Sequence, residues 1–267
     1  MMVSQHPRAQ AGVSVRETSR AASLFLCASA ACAQPSVVSF EESEGYSLGA
    51  IGGQQGWEEF SLTSGVGSDV VAIDGRRALR LTDNPSVANG RFVGGLSPEL
   101  FDPGRRGEFS VDVRIDDLAG ASYTVVGQSL AKFGVTFRVV FEFGGTIFVV
   151  DETDAGVAFV DTNVFFDRGE FRELRVEWTP FRTTYYYDDE MIYESTATGF
   201  ARALDQVVLA SDAWQDGGFP VGEGPVAAYF DDVRIAVPSP GAWVALGACA
   251  FAACSSRRRY AGPPCAS

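Results

Sequence analysis

The sequence predicts an all-β fold, a two-sheet antiparallel sandwich of jelly-roll type, and three observations carry that expectation. Short segments alternate apolar and polar residues between turns rich in Gly, Asp and Asn, the mark of half-buried strands. No long amphipathic helix and no internal repeat interrupts the series. Hydrophobic residues make up 46% of the 267 residues and Phe alone numbers 20, ample for one packed core.

The expected strands run in order along the middle of the chain. The early segments are residues 37–40, 70–73, 78–81 and 91–93. Residues 108–115 alternate apolar and polar side chains throughout. Segments 122–130 and 135–143 lead to a turn at Gly144 and Gly145, and 146–151 follows it. Residues 171–178 alternate again, with Leu174, Val176 and Trp178 set against Glu173, Arg175 and Glu177. Segments 183–187 and 190–194 flank Asp188 and Asp189, which read as a hairpin turn. Segments 204–210 and 226–237 close the series.

The ends have a different character. Residues 1–33 read as a secretory signal: a polar region with Arg8, Arg16 and Arg20, a short apolar run, and a small-x-small site at Ala31 and Ala33. A rival reading makes Cys32 the acylated residue of a lipoprotein, although Ser29, Ala30 and Ala31 lack the usual upstream Leu. At the other end, Pro238, Ser239, Pro240 and Gly241 precede an apolar stretch at 242–254 and then Arg257, Arg258 and Arg259. That stretch is shorter than the roughly 20 residues of an ordinary span, and the Arg cluster favours the cytoplasmic side. The expected parts are therefore a signal helix over 1–33, a sandwich domain over 34–237, an anchor with a short hydrophobic helix over 238–260 and a tail over 261–267.

Removing the ends sharpens the charge. The central domain holds 15 basic and 33 acidic residues, a net −18. Such a surface repels nucleic-acid phosphates and anionic lipid, so no nucleic-acid partner is expected and membrane contact only through the C-terminal anchor. All five cysteines and the single His6 lie in the terminal segments. The domain therefore has no disulfide, no thiolate chemistry and no imidazole for base catalysis or zinc.

Two resemblances follow from quoted residues. The Pro238-Ser239-Pro240-Gly241 motif, the apolar stretch and the Arg257–Arg259 cluster resemble, in that order, a PEP-CTERM sorting signal, with the middle Glu of the motif replaced by Ser. That resemblance implies an exosortase-type processing enzyme as partner, and an exported location at the surface or in the matrix of a Gram-negative-type bacterium. The central domain resembles the concanavalin A-like, laminin-G-like superfamily in Phe40 and Glu41 near its start, Trp57, the strand pair around Trp178 and Tyr185, and the closing Tyr229, Phe230, Asp231, Asp232 and Val233. That superfamily includes lectins, carbohydrate-binding modules and glycosidases, so the fold alone assigns no activity.

Arg172, Glu173, Leu174 and Arg175 resemble an alginate-lyase strand in part, but the spacing is shorter and those enzymes also use a His. The Glu-x-Asp-x-(x)-Glu strand of laminarinase-type glycosidases is not found. The nearest acidic cluster, at 151–154, reads as a solvated loop. In related carbohydrate-binding families a structural calcium sits between the first and last strands, so the resemblance implies Ca2+ at Glu41, Asp231 and Asp232. Tyr185, Tyr187 and Trp214 are the candidate aromatic platforms for polysaccharide. The expectation is a non-enzymatic, exported, polysaccharide-binding protein, with a carboxylate-based glycosidase or lyase and a purely structural matrix component as alternatives.

Overall fold

The computed structural model describes residues 36–236, apart from 62–66, 84–90, 100–105, 118–120, 131–133, 154–155, 197–202 and 214–225. The signal and sorting segments and their expected helices lie outside the described residues. Sixteen strands follow one another: β1 (Ser36–Val38), β2 (Gly49–Ala50), β3 (Glu58–Ser61), β4 (Gly67–Ile73), β5 (Arg76–Asp83), β6 (Arg91–Leu96), β7 (Gly107–Ile115), β8 (Tyr123–Ser129), β9 (Gly134–Phe141), β10 (Thr146–Thr153), β11 (Gly156–Phe165), β12 (Arg172–Trp178), β13 (Thr183–Tyr187), β14 (Glu190–Ser195), β15 (Gln206–Ala213) and β16 (Val226–Ala236).

These strands form two antiparallel sheets packed face to face, as the alternating pattern predicts. Sheet A has the order β14-β13-β12-β7-β16-β5-β4-β2, with β1 also pairing β16. Sheet B has the order β11-β10-β9-β8-β15-β6-β3. Chain neighbours β8, β9, β10 and β11 form a meander, while β15 crosses back to lie between β8 and β6. The sheet edges are thus formed by elements distant in sequence, as a jelly roll requires.

The core lies between the sheets and is rich in aromatic rings. Phe109 of β7 stacks 5.3 Å from Phe137 of β9, which in turn lies 6.2 Å from Trp178 of β12. Phe137 has room because residue 127 is glycine: a Cβ there would stand 2.3 Å from the ring. A second aromatic group closes the N-terminal corner. Phe40 lies 5.2 Å from Tyr46 and 5.5 Å from Trp57, and the Trp57 indole N–H donates to the Tyr46 hydroxyl at 2.9 Å. That bond satisfies two polar groups in an otherwise apolar cluster.

The acidic run at 151–154 corrects one expectation. Asp151 is not in a solvated loop; it belongs to β10 and is only 6% exposed. Its carboxylate accepts the Tyr193 hydroxyl at 2.7 Å, the Ser195 hydroxyl and the Glu152 amide at 2.7 Å. Tyr193 and Ser195 lie on β14, the edge of sheet A, so one buried carboxylate on β10, next to the edge of sheet B, ties the two sheets together. Burial, backed by the bond to Asp151, pushes the Tyr193 phenol up to about 12. Replacing Asp151 by Ala strands donors that have left water, so D151A is expected to lose about 2–3 kcal/mol, and D151N, which keeps one acceptor, about half of that. Urea unfolding of both variants checks the order; equal stability of D151A and wild type would refute the latch.

Candidate functional site

The outward face of sheet B carries a pocket, and strand register decides its walls. Thr124, Val140, Phe148 and Asp161 stand opposite one another across β8, β9, β10 and β11. Phe159 stands opposite Val150 on the same face. The open cavity of about 250 Å³ is lined by Ser122, Arg138, Val140, Glu142, Phe143, Phe148 and Phe159. It falls below the roughly 300–1,000 Å³ of drug-sized sites, so it suits one small ring or a short segment of a chain.

Glu142 sits just past β9, at the start of the turn into β10. Its backbone fixes that turn: the Glu142 amide donates to Thr146 O at 2.9 Å, and the Gly145 amide donates to Glu142 O at 2.8 Å. Gly145 has φ 98, a conformation glycine adopts without strain. The Gly144 amide donates to the Glu142 carboxylate. Burial pushes the Glu142 carboxyl above its ordinary value; the Gly144 amide opposes this and the nearby negative charge of Asp161 adds to it.

Arg138 supplies the cation of the pocket. Its Nε donates to the Thr124 hydroxyl at 3.2 Å, and that hydroxyl donates to Val139 O at 3.0 Å. Its guanidinium lies 5.4 Å from the Phe159 ring centroid. The pocket thus combines a carboxyl that burial holds towards its protonated form, a neighbouring carboxylate, a guanidinium and three aromatic rings. Two carboxyl groups with unlike environments are the arrangement that separates an acid from a base or nucleophile.

The residues singled out from sequence fall elsewhere. Glu41 accepts the Arg77 amide at 3.0 Å. Asp231 accepts Arg76 at 3.2 Å and the Asp232 amide at 2.8 Å, while Asp232 lies 3.5 Å from Arg234. Among the described residues, no group of three or more acidic, His or Cys side chains is placed to hold a metal ion, so Glu41, Asp231 and Asp232 do not form such a set. Tyr185 and Tyr187 are corrected from platforms to core: they are 0% and 7% exposed, because their strand turns that face inward, and Tyr186 between them faces out, under Arg175. Trp214, Ala31, Ala33, the motif at 238–241 and the Arg cluster at 257–259 lie outside the described residues.

Sequence reasoning missed Glu142, Asp161, Phe148 and Phe159. Glu142 lay within an expected strand but carried no motif. β11 was not expected at all, because Val157, Phe159, Val160, Val164 and Phe165 put apolar residues on both faces and blur the period of two. Its richness in Val and Phe was the available signal.

The fold is a two-sheet antiparallel jelly roll. No protein-family model matches the chain, and no curated protein matches it in sequence. Among solved structures, a Crh5 transglycosylase aligns with a TM-score of 0.53 at 16% identity, over 78% of this chain and 86% of that one. A β-glucanase of Bacillus licheniformis aligns with a TM-score of 0.50 at 12% identity, over 76% of this chain and 97% of that one. A sialidase aligns with a TM-score of 0.55 at 9% identity, over 70% of this chain but only 17% of that one. At these identities the likeness is one of fold.

These neighbours correct the expectation of a non-enzymatic protein, since each carries the name of an enzyme. The physical reason is plain. The missing histidine excludes imidazole chemistry only, and two carboxylates suffice for glycosyl transfer.

Asp231 has a separate consequence for stability. It is 3% exposed, faces Asp112 across β7 and β16, and shares Arg76 with it. Burial pushes its carboxyl up to about 6, against the Asp232 amide and Arg76. An acid whose folded value is raised adds stability when protonated, and that contribution is lost as pH rises from about 4 through about 6. The stability of D231N relative to wild type is therefore expected to rise by about 2–3 kcal/mol between pH 4 and 7. Denaturant titrations at both pH values measure it, and a constant difference would refute it.

Proposed function

We propose that the domain cleaves or transfers glycosidic bonds in the pocket on sheet B, with Glu142 as general acid and Asp161 as its partner carboxylate. One observation carries this reading: the Glu142 carboxyl is held towards its protonated form, beside a second carboxylate, in a cavity walled by aromatic rings. Glu142 gives its proton to the leaving glycosidic oxygen as the bond to the anomeric carbon breaks. The Asp161 carboxylate then either bonds to that carbon or takes a proton from the water that does so. Once Glu142 is ionised, the Gly144 amide already points at the new charge. Phe148 and Phe159 offer faces for the C–H side of a sugar ring, and Arg138 offers donors for its hydroxyls.

The proposed setting is outside the cell, on the strength of the signal-like residues 1–33 and the sorting-like residues 238–260. The proposed ligand class is extracellular polysaccharide, in keeping with the names of the β-glucanase and transglycosylase neighbours.

The test is reducing-end release, or product lengthening, from mixed-linkage β-glucan and laminarin. E142Q and D161N are each expected to lower kcat by about 10²–10⁴-fold, the usual scale for removing an acid or base, with Tm held near wild type. Wild-type activity should also fall as pH rises through the raised Glu142 value, because the acid form is then lost. Full activity in either variant would overturn the assignment.

A further inference from the structure

Phe165 is 71% exposed, lies outside the pocket and has no role in the core, yet it shares a face with the pocket residues of β11. β11 is the outer edge of sheet B. Its outward side chains are Val157, Phe159, Asp161, Asn163 and Phe165, with Val157 74% and Phe159 58% exposed. Large exposed apolar side chains on a long edge strand invite strand-to-strand aggregation unless the edge is blunted or serves a partner.

The edge is blunted against another strand. The register shifts opposite Thr146 and Phe148, and Asn163 takes φ 58, so the strand bulges there. The Asn163 amide donates to Asp161 Oδ1 at 2.8 Å and the Val164 amide donates to Thr162 Oγ1 at 3.3 Å. Two N–H groups of the bulge are thus already turned towards side chains of their own strand, which interrupts the edge there. The aromatic faces on either side remain open. This combination fits a ligand that uses side chains and ignores the backbone ladder.

We infer that a linear polysaccharide chain runs along β11, stacking on Phe159 and Phe165 on either side of Asp161. The inference rests on reading the pocket as a glycan site and extends it from one ring to a track. Six residues of extended strand separate the two phenyl rings by roughly 20 Å, less the bulge, which is the span of several sugar units and not of one. Asp161 and Asn163 lie between them and meet hydroxyls. The alternation of apolar faces with hydrogen-bonding groups matches a sugar chain, which presents both.

The test uses the full-length chain carrying E142Q, so that ligand is not consumed, in gels containing mixed-linkage β-glucan or laminarin. Retardation is expected in at least one polymer, and adding F159A or F165A should weaken it about five- to ten-fold each, the scale of one aromatic contact. A trisaccharide of the same polymer, measured by calorimetry, should lose affinity with F159A but not with F165A. Undiminished retardation in F165A, or no retardation in either polymer, would overturn the track. A ligand-free dimer that F165A dissolves would also overturn it, by assigning the stripe to a second copy of the chain. Hydrolysis by the chain without E142Q is scored separately: polymer binding that depends on both Phe residues, with no hydrolysis, sustains the track and removes the catalytic reading.

Discussion

Phe137 packed into the gap left by Gly127 is the contact on which the sandwich depends. The domain has no cysteine to cross-link it, so its two sheets are held by what fills the space between them. Phe137 bridges that space, touching Phe109 and Trp178 of sheet A from its place on β9 of sheet B. A Cβ at position 127 would overlap the ring, and the ladder shifts register at the next residue, between Gly127 and Gln128. That fit fixes how β9 lies on β8. Because side chains alternate, fixing Phe137 and Phe141 inward also fixes Arg138, Val140 and Glu142 outward. The pocket is the reverse side of the core.

The outward faces of the two sheets have been put to different uses. Sheet A carries a lattice of ion pairs: Arg76 with Asp112 and Asp231, Arg80 with Asp69, and Arg114 with Asp74 and Asp116. Rings take part, with the Arg76 guanidinium 4.3 Å from Phe171 and that of Arg114 5.8 Å from Tyr229. Apart from the buried Asp231, the carboxylates are partly exposed and such pairs add little stability each, but together they leave a face whose charges already have partners. The pocket face instead presents Phe148, Phe159 and Glu142, groups that gain most when a ligand covers them.

The strands that the sequence revealed were those with one clean face. Residues 107–115 and 172–178 alternate because one side meets the core and the other meets water or an ion pair. The turn at Asp188 and Asp189 was legible too, and both residues take positive φ, 50 and 65, as a tight hairpin demands. What could not be read was which face of a strand turns inward when both are aromatic. Tyr185, Tyr186 and Tyr187 are alike in sequence, and only pairing with Val176 and Leu174 of β12 turns the first and third into the core. β11 was hidden for the opposite reason: three of its outward residues, Val157, Phe159 and Phe165, are apolar, so its pattern looks like neither a strand nor a loop.

The same property explains why the candidate site lay outside every motif. Glu142 comes from a turn, Arg138 from β9, Phe148 from β10, and Phe159 and Asp161 from β11, and no short sequence window shows that register brings them together. A strand face buried on one side and wet on the other should be apolar in and polar out; where it is apolar on both sides, burial is not the reason for the outer residues. On β11 the folding pattern is broken at Val157, Phe159 and Phe165, and each break costs solubility at an exposed edge. The bulge at Asn163 interrupts the edge without removing the rings. An edge whose ladder is interrupted and which still displays aromatic faces fits the polysaccharide track proposed for β11, and Glu142 and Asp161 lie beside it.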